Sequence, residues 1–302
     1  MITRRRFLAI SAAAVAFPGR SSAEPVYTWQ GVALGARASL RLAHPNAKVI
    51  SARVAAEISR LEDIFSLYRP ESSLMQLNRT GRLESPPFEL LECLSLSGAV
   101  YRASGGRFDP TVQPLWACYA KASALGLLPQ ENELTLGHAL VGWGRVRFDS
   151  STIVLEPEMA LTLNGIAQGY IADRITEMLA MEGLTNVLID TGEFRALGRH
   201  PDGRGWPIKL AAGGEVPLDT RALATSAPLG TTFDERSKVG HILHPVTGRP
   251  AQSKWREVTV SAGSAALADA LSTTACLFHT RKEIATFIGQ FQTAQVENAV
   301  LA

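Results

Sequence analysis

Along the chain, Ile50, Val54, Ile58, Leu61 and Phe65 return every three or four positions. That is the period of one buried helix face, and it predicts a helix there. Just upstream, VYTWQGVALGARASLRL alternates apolar and polar residues around turn glycines, which predicts a β-hairpin. FELLECLSLSGAVYRASGG predicts a second helix, closed by Gly105 and Gly106. GRVRFDSSTIVLEP reads as a hairpin about an Asp-Ser-Ser turn, and NVLIDTGEFRALG as a buried strand folding back into another. LPQENELT, residues 128–135, has the composition of a surface loop. In LTLNGIAQGYIADRITEML a short apolar strand runs into Asn164-Gly165, then into a helical pattern through Ile166, Tyr170, Ile171, Ile175 and Met178. Strands and helices alternate irregularly with many hairpins, which predicts an α+β fold, one compact globule of hairpin-rich mixed sheets flanked by helices, and not a doubly wound parallel sheet.

The 302 residues are 46% hydrophobic and 19% charged, the balance of an ordinary globular protein and not of a disordered chain. A formal charge of +2 with scattered basic residues gives no footprint for nucleic acid. The start changes the picture. MITRRRFLAISAAAVAFPGRSSAEP places Arg4, Arg5 and Arg6 before an apolar run from Phe7 to Phe17 and the small-residue site Ser21-Ser22-Ala23. That pattern predicts a twin-arginine-type signal peptide over residues 1–23, with an uncleaved anchor as the competing reading. The run falls short of the roughly 20 residues a spanning helix needs. Residues 24–302 are thus expected as one mature domain, periplasmic and not membrane-spanning. Cys93, Cys118 and Cys276 all lie in apolar segments and read as buried free thiols, with no spacing that fits zinc or haem.

Four segments could carry chemistry. The turn at Asn164-Gly165 offers free N–H groups at a helix start, either a phosphate site or a plain helix beginning. In GGRFDPTVQPLW, Asp109 either caps the short helix begun by Pro110 or touches a ligand. In GHILHPVTGRP, read as a strand, His241 and His244 point to opposite sides and do not share a metal; His241 is either a general base or a structural histidine. In ADALSTTACLF, Asp269 and Thr273 stand one helical turn apart on one face. They are hard oxygen donors suited to Mg²⁺ or Ca²⁺, unless Asp269 is a helix cap; Ser261 and Ser264 supply earlier caps.

In this order, ALGARASLRL, FSLYRPESSLMQLN, GGRFDPTVQPL, NGIAQGYIADR, ALATSA, HILHPVTGRP and ADALSTTACLF resemble the FAD:protein FMN transferase family, the ApbE-type flavin transferases, over nearly the whole mature chain. The resemblance implies an α+β enzyme that uses Mg²⁺ to move the FMN moiety of FAD onto a threonine or serine hydroxyl of a flavoprotein, releasing AMP. It implies Asp269 and Thr273 as metal ligands, with the backbone near Gly165 and the Ser272 hydroxyl as further donors. It implies Leu34, Tyr68, Arg107, Phe108, Asp109, Thr162, Gln168 and Leu243 as FAD contacts and His241 as the base for the acceptor hydroxyl. The chain departs from the family pattern at Ala36, Thr162, Gln168, His244 and Thr191-Gly192. The leader without a lipid-attachment cysteine resembles a soluble, NosX-like periplasmic branch linked to nitrous oxide respiration, whose acceptor would be a membrane protein with a periplasmic FMN-binding domain. A flavin carrier without transfer, an FAD pyrophosphatase and a flavin-free assembly factor are the rival readings.

Overall fold

The computed structural model describes residues 25–236 and 238–302; the expected signal peptide lies outside the described residues. Strands β1 (Tyr27–Ala33) and β2 (Ala36–Leu42) form the expected hairpin, with Ala33 opposite Ala36. Its two-residue loop, Leu34-Gly35, has φ of +49° and +82°, the primed geometry that matches strand twist. Leu34 is held in that unfavourable conformation by its own N–H, which donates to Glu62 Oε1 at 2.7 Å. Glu62 lies on helix α1 (Ala47–Phe65), whose expected stripe of Ile50, Val54, Ile58, Leu61 and Phe65 is buried.

Helix α2 (Ser73–Thr80) has no counterpart in the sequence reading. Its eight residues bury only Leu74 and Leu77, too few for a periodic signal, and its start is set by Ser72, whose Oγ accepts from Met75 N–H at 3.1 Å. Strand β3 (Arg82–Glu84) leads to α3 (Phe88–Ala103), which ends where expected, at Gly105 and Gly106 with φ of +61° and +79°. A 3-10 turn, Pro110–Val112, then enters α4 (Gln113–Ser123). The expected loop at 128–135 is instead largely the start of α5 (Glu131–Ala139). Gln130 and Glu133 form a reciprocal capping box there, so polar residues that resemble a loop are a helix start.

Strands β4 (Arg147–Phe148) and β5 (Thr152–Val154) make the expected hairpin, its turn tied by Asp149 Oδ1 accepting from Ser151 and Thr152 N–H. The strand expected before Asn164 is irregular chain without strand partners. Leu161 exchanges hydrogen bonds with the Asn78 side chain, and Thr162 N–H donates to Pro110 O. The helix after it, α6 (Ala167–Met181), is as expected.

Strands β6 (Val187–Asp190) and β7 (Phe194–Leu197) form the next hairpin, followed by β8 (Trp206–Lys209), β9 (Glu215–Leu218) and β10 (Ala222–Ser226). Two-residue strands β11 (Leu243–His244) and β12 (Arg249–Pro250) pair with each other; β13 (Trp255–Ala262), α7 (Ala265–Ala275), α8 (Arg281–Ile288) and β14 (Gln295–Leu301) complete the order. His241 therefore precedes the strand instead of lying on it. Thr231 O takes both its N–H and its ring, so strand alternation does not set its direction.

The main sheet has seven strands in the order β1-β2-β6-β7-β10-β13-β14, antiparallel throughout. Alternation divides its side chains between two cores. Val187, Ile189, Ala222 and Ala224 join the large core under α1, α6 and α7, while Leu188 and Leu223 turn to the other face, under the β8–β9 hairpin with Trp206. A third cluster, Leu115, Tyr119, Leu134, Phe233 and Leu243, ties α4 and α5 to the segment around His241. Cys93 and Cys276 are buried and Cys118 half-buried, all three as free thiols. Among the described residues no helix is long and apolar enough to cross a membrane.

Candidate active site

Helix α7 starts at Ser264, whose Oγ accepts from Leu267 N–H, and Asp173 carries the next free donors, Ala265 N–H at 2.8 Å and Ala266 N–H at 2.9 Å. The start of α7 is thereby satisfied without Asp269, which sits one turn further in and is 3% exposed. The capping reading of Asp269 is removed. Its carboxylate has one hydrogen-bond partner among the described residues, Gly169 N–H at 3.5 Å, and burial pushes its pKa up to about 8. A buried carboxylate so poorly answered is suited to a proton or to a cation.

The hydroxyls beside it are ordered by one chain of hydrogen bonds. Ser272 Oγ lies 3.0 Å from Asp269 O, and since a carbonyl only accepts, Ser272 donates. Ser226 Oγ, 2.8 Å away, then donates to Ser272, and Thr273 Oγ1, 3.0 Å from Ser226, donates in its turn. The lone pairs of Thr273 are left available while the Ser272 hydroxyl, fully buried, is occupied in the network. Gly165 stands against Thr273: a Cβ on it would lie 3.3 Å from Thr273 Oγ1. Carboxylate, hydroxyl and backbone carbonyl are all hard oxygen donors, the class that fits Mg²⁺ or Ca²⁺ and not zinc; among the described residues no group of three or more His, Cys, Asp or Glu side chains is placed to hold a metal.

Thr273 opens onto a cavity of about 270 Å³. The turn after α1 gives it Tyr68, the loop after α3 gives it Phe108 and Asp109, and the chain before α6 gives it Thr162. Arg107, Gly165, His241 and Leu243 complete its wall. The Arg107 guanidinium lies 4.5 Å over the Phe278 ring. Tyr68 is 73% exposed and forms the rim. Asp109 does both things the sequence left open: it lines the cavity, and its Oδ1 accepts from Thr111 N–H at 2.8 Å while Oδ2 accepts from Trp143 N–H at 3.1 Å. Leu34, Gln168, Asp269 and Ser272 are not on this wall. Leu34 is tied to α1, and Gln168 lies over Gly192, where a Cβ would come within 2.9 Å of its Nε2. A larger groove, about 760 Å³ and lined by Tyr119, Pro228, Arg249 and Trp255 among others, holds none of these residues.

His241 Nδ1 is 3.0 Å from Thr231 O, so Nδ1 carries the hydrogen and the lone pair of the neutral ring is on Nε2; Pro228 O is a second backbone acceptor beside the ring. Burial lowers its pKa below the ordinary 6.5, which favours the neutral ring at neutral pH. His244 does turn work: its Nδ1 accepts from Val246 N–H at 3.2 Å, the bond an aspartate would make two residues ahead of an amide. Two residues escaped the sequence reading. Ser226 is legible only as the polar end of the ALATSA stretch, and Glu193, buried beside Asp269, as a lone acid after Thr191-Gly192.

A buried carboxylate and ordered hydroxyls beside an aromatic-walled cleft, with a neutral histidine on its wall, make a site of the transferase class on an antiparallel α+β frame. The chain belongs to the ApbE family, whose family model matches residues 34–296. A "FAD:protein FMN transferase" of Chlamydia pneumoniae is 32% identical over 238 residues, 74% of each chain. The apo crystal structure of the Pseudomonas stutzeri flavinyl transferase ApbE superposes with a TM-score of 0.79 at 25% identity, covering 92% of this chain and 95% of that one. The ApbE protein of Thermotoga maritima shares the fold, with a TM-score of 0.81 at 23% identity over 92% of this chain and 96% of its own.

Proposed function

We propose that this protein transfers the FMN moiety of FAD onto a threonine or serine hydroxyl of a target flavoprotein and releases AMP, with Mg²⁺ bound. The observation that carries the reading is that His241, held neutral by burial, and Thr273, whose lone pairs are left available, line one cavity. Asp269, Thr273 and the backbone near Gly165 would hold the cation, which when bound supplies positive charge against the pyrophosphate. Phe108, Leu243 and the exposed ring of Tyr68 offer apolar surface to the flavin, and Arg107 a cation beside it. His241 Nε2 takes the proton of the acceptor hydroxyl as its oxygen bonds to the FMN phosphorus. The bond from that phosphorus to the bridging oxygen breaks, and AMP leaves with the oxygen. The twin-arginine pattern supports a periplasmic location, with a membrane protein carrying a periplasmic FMN-binding domain as acceptor.

The test is to incubate residues 24–302 with FAD, Mg²⁺ and such a domain and to weigh the domain intact. Addition of one FMN, abolished by chelator, is the expected result. FMN and AMP released into solution with the domain unchanged would make the protein a pyrophosphatase. FAD bound but intact would make it a carrier.

A further inference from the structure

Glu193 immediately precedes β7 and is 7% exposed, yet its Oε2 has no hydrogen-bond partner among the described residues. A buried carboxylate oxygen left in that condition is costly unless a cation or its water answers it. Burial first, then the neighbouring carboxyl groups of Asp269 and Asp190, push Glu193 well above the usual carboxylate range, against one backbone N–H, that of Thr225, which donates to its carboxylate.

The hairpin that carries Glu193 is fixed to the same helical turn that serves Asp269. Thr191 Oγ1 donates to Gln168 O at 2.8 Å, and Gly192, at φ +104°, lets the turn close over the Gln168 side chain. The next residue, Gly169, is the one whose N–H faces Asp269 Oδ2. On its other side Glu193 adjoins β10, the strand that ends in Ser226 and hence in the hydroxyl chain to Thr273. Two buried acids, each with a single backbone N–H as partner, Gly169 for Asp269 and Thr225 for Glu193, therefore lie near one another on elements tied to the same turn of α6.

We propose that Glu193 is the second carboxylate of the cation site: Asp269 and Thr273 are the direct donors, and Glu193 supplies a further negative charge and an acceptor for the cation's water shell. This rests on the cation-dependent reading above. It makes Glu193 a positioning residue and not a catalytic one.

The test uses Mn²⁺ alone as probe, without FAD, titrated into the full mature protein and followed by the loss of the free-ion electron paramagnetic resonance signal. Melting is measured in parallel in chelator. Glu193→Gln is expected to weaken Mn²⁺ binding about tenfold or more, roughly 1.4 kcal/mol, and to leave the metal-free protein folded with a cooperative melt. Glu193→Asp, which keeps the charge, is expected to recover binding to within a few-fold. A folded Glu193→Gln protein that binds Mn²⁺ as wild type does overturns the role of Glu193 and leaves the cation site standing. If Glu193→Gln fails to fold, Glu193→Asp decides: weak binding there overturns the proposal. Wild-type protein that binds no Mn²⁺, with or without FAD, overturns the cation reading and this proposal together.

Discussion

Gly169 lies directly against the backbone of Ala265: a Cβ at position 169 would fall 2.2 Å from Ala265 O. No side chain but hydrogen lets the first turn of α6 meet the start of α7, and that contact brings Gly169 N–H to Asp269 Oδ2. Gly169→Ala should therefore destabilise the protein by about 1–3 kcal/mol, as overpacking does, and weaken divalent cation binding at the same time. Chemical denaturation and a Mn²⁺ titration on the same sample check it; loss of stability with unchanged Mn²⁺ affinity would separate the helix contact from the site.

Asp269→Asn should abolish Mn²⁺ binding and leave the fold intact. The sign of its effect on stability follows from the raised pKa. Between the ordinary 3.8 and about 8 the folded metal-free protein holds a proton that the unfolded chain has released, so wild-type stability falls as pH rises through that window and is level above it. Asn carries no such charge. Urea melts in chelator should show the variant gaining on wild type as pH rises from about 4 to about 8 and matching it most nearly at the low end; an equal gap at both ends would mean that Asp269 is not a buried, protonated acid.

His241→Ala should slow transfer by about 10²- to 10⁴-fold, the range for loss of a general base, with FAD affinity unchanged. Because the neutral ring is the active form and burial lowers its pKa, wild-type kcat/KM should rise with pH along an acid limb centred below 6.5 and stay level above it. The variant should lack that limb. Equal losses in FAD affinity and rate would make His241 a binding residue.

Tyr68→Ala should weaken FAD binding by about 0.5–1.5 kcal/mol, the worth of an aromatic stacking contact. At 73% exposed the ring contributes little to the core, so the melting temperature without FAD should stay put. Fluorescence titration with FAD and a thermal melt distinguish a flavin contact from a surface tyrosine.

Much of this was legible because the relevant signals are local. The face of α1 and the β1–β2 hairpin announce themselves by period and turn glycines, and Asp269 and Thr273 by their spacing on one helix. Where local signals compete, the reading slipped. Gln130 and Glu133 form a capping box out of residues that also favour loops, and the LTL segment spends its backbone groups on Asn78 and Pro110 instead of on a neighbouring strand.

The sequence by itself determined which residues share a helix turn, which strands pair through short turns, and that hard oxygen donors sit in an apolar segment, because those are consequences of backbone period and residue chemistry. Only the tertiary structure decided that the donors of α7's first turn go to Asp173, freeing Asp269, that Ser226 orders the hydroxyls so that Thr273 keeps its lone pairs, and that Glu193 is buried in the neighbourhood of Asp269. Each of those depends on elements far apart in the chain meeting at van der Waals distance. No periodicity within one segment encodes what a neighbouring element leaves unpaired.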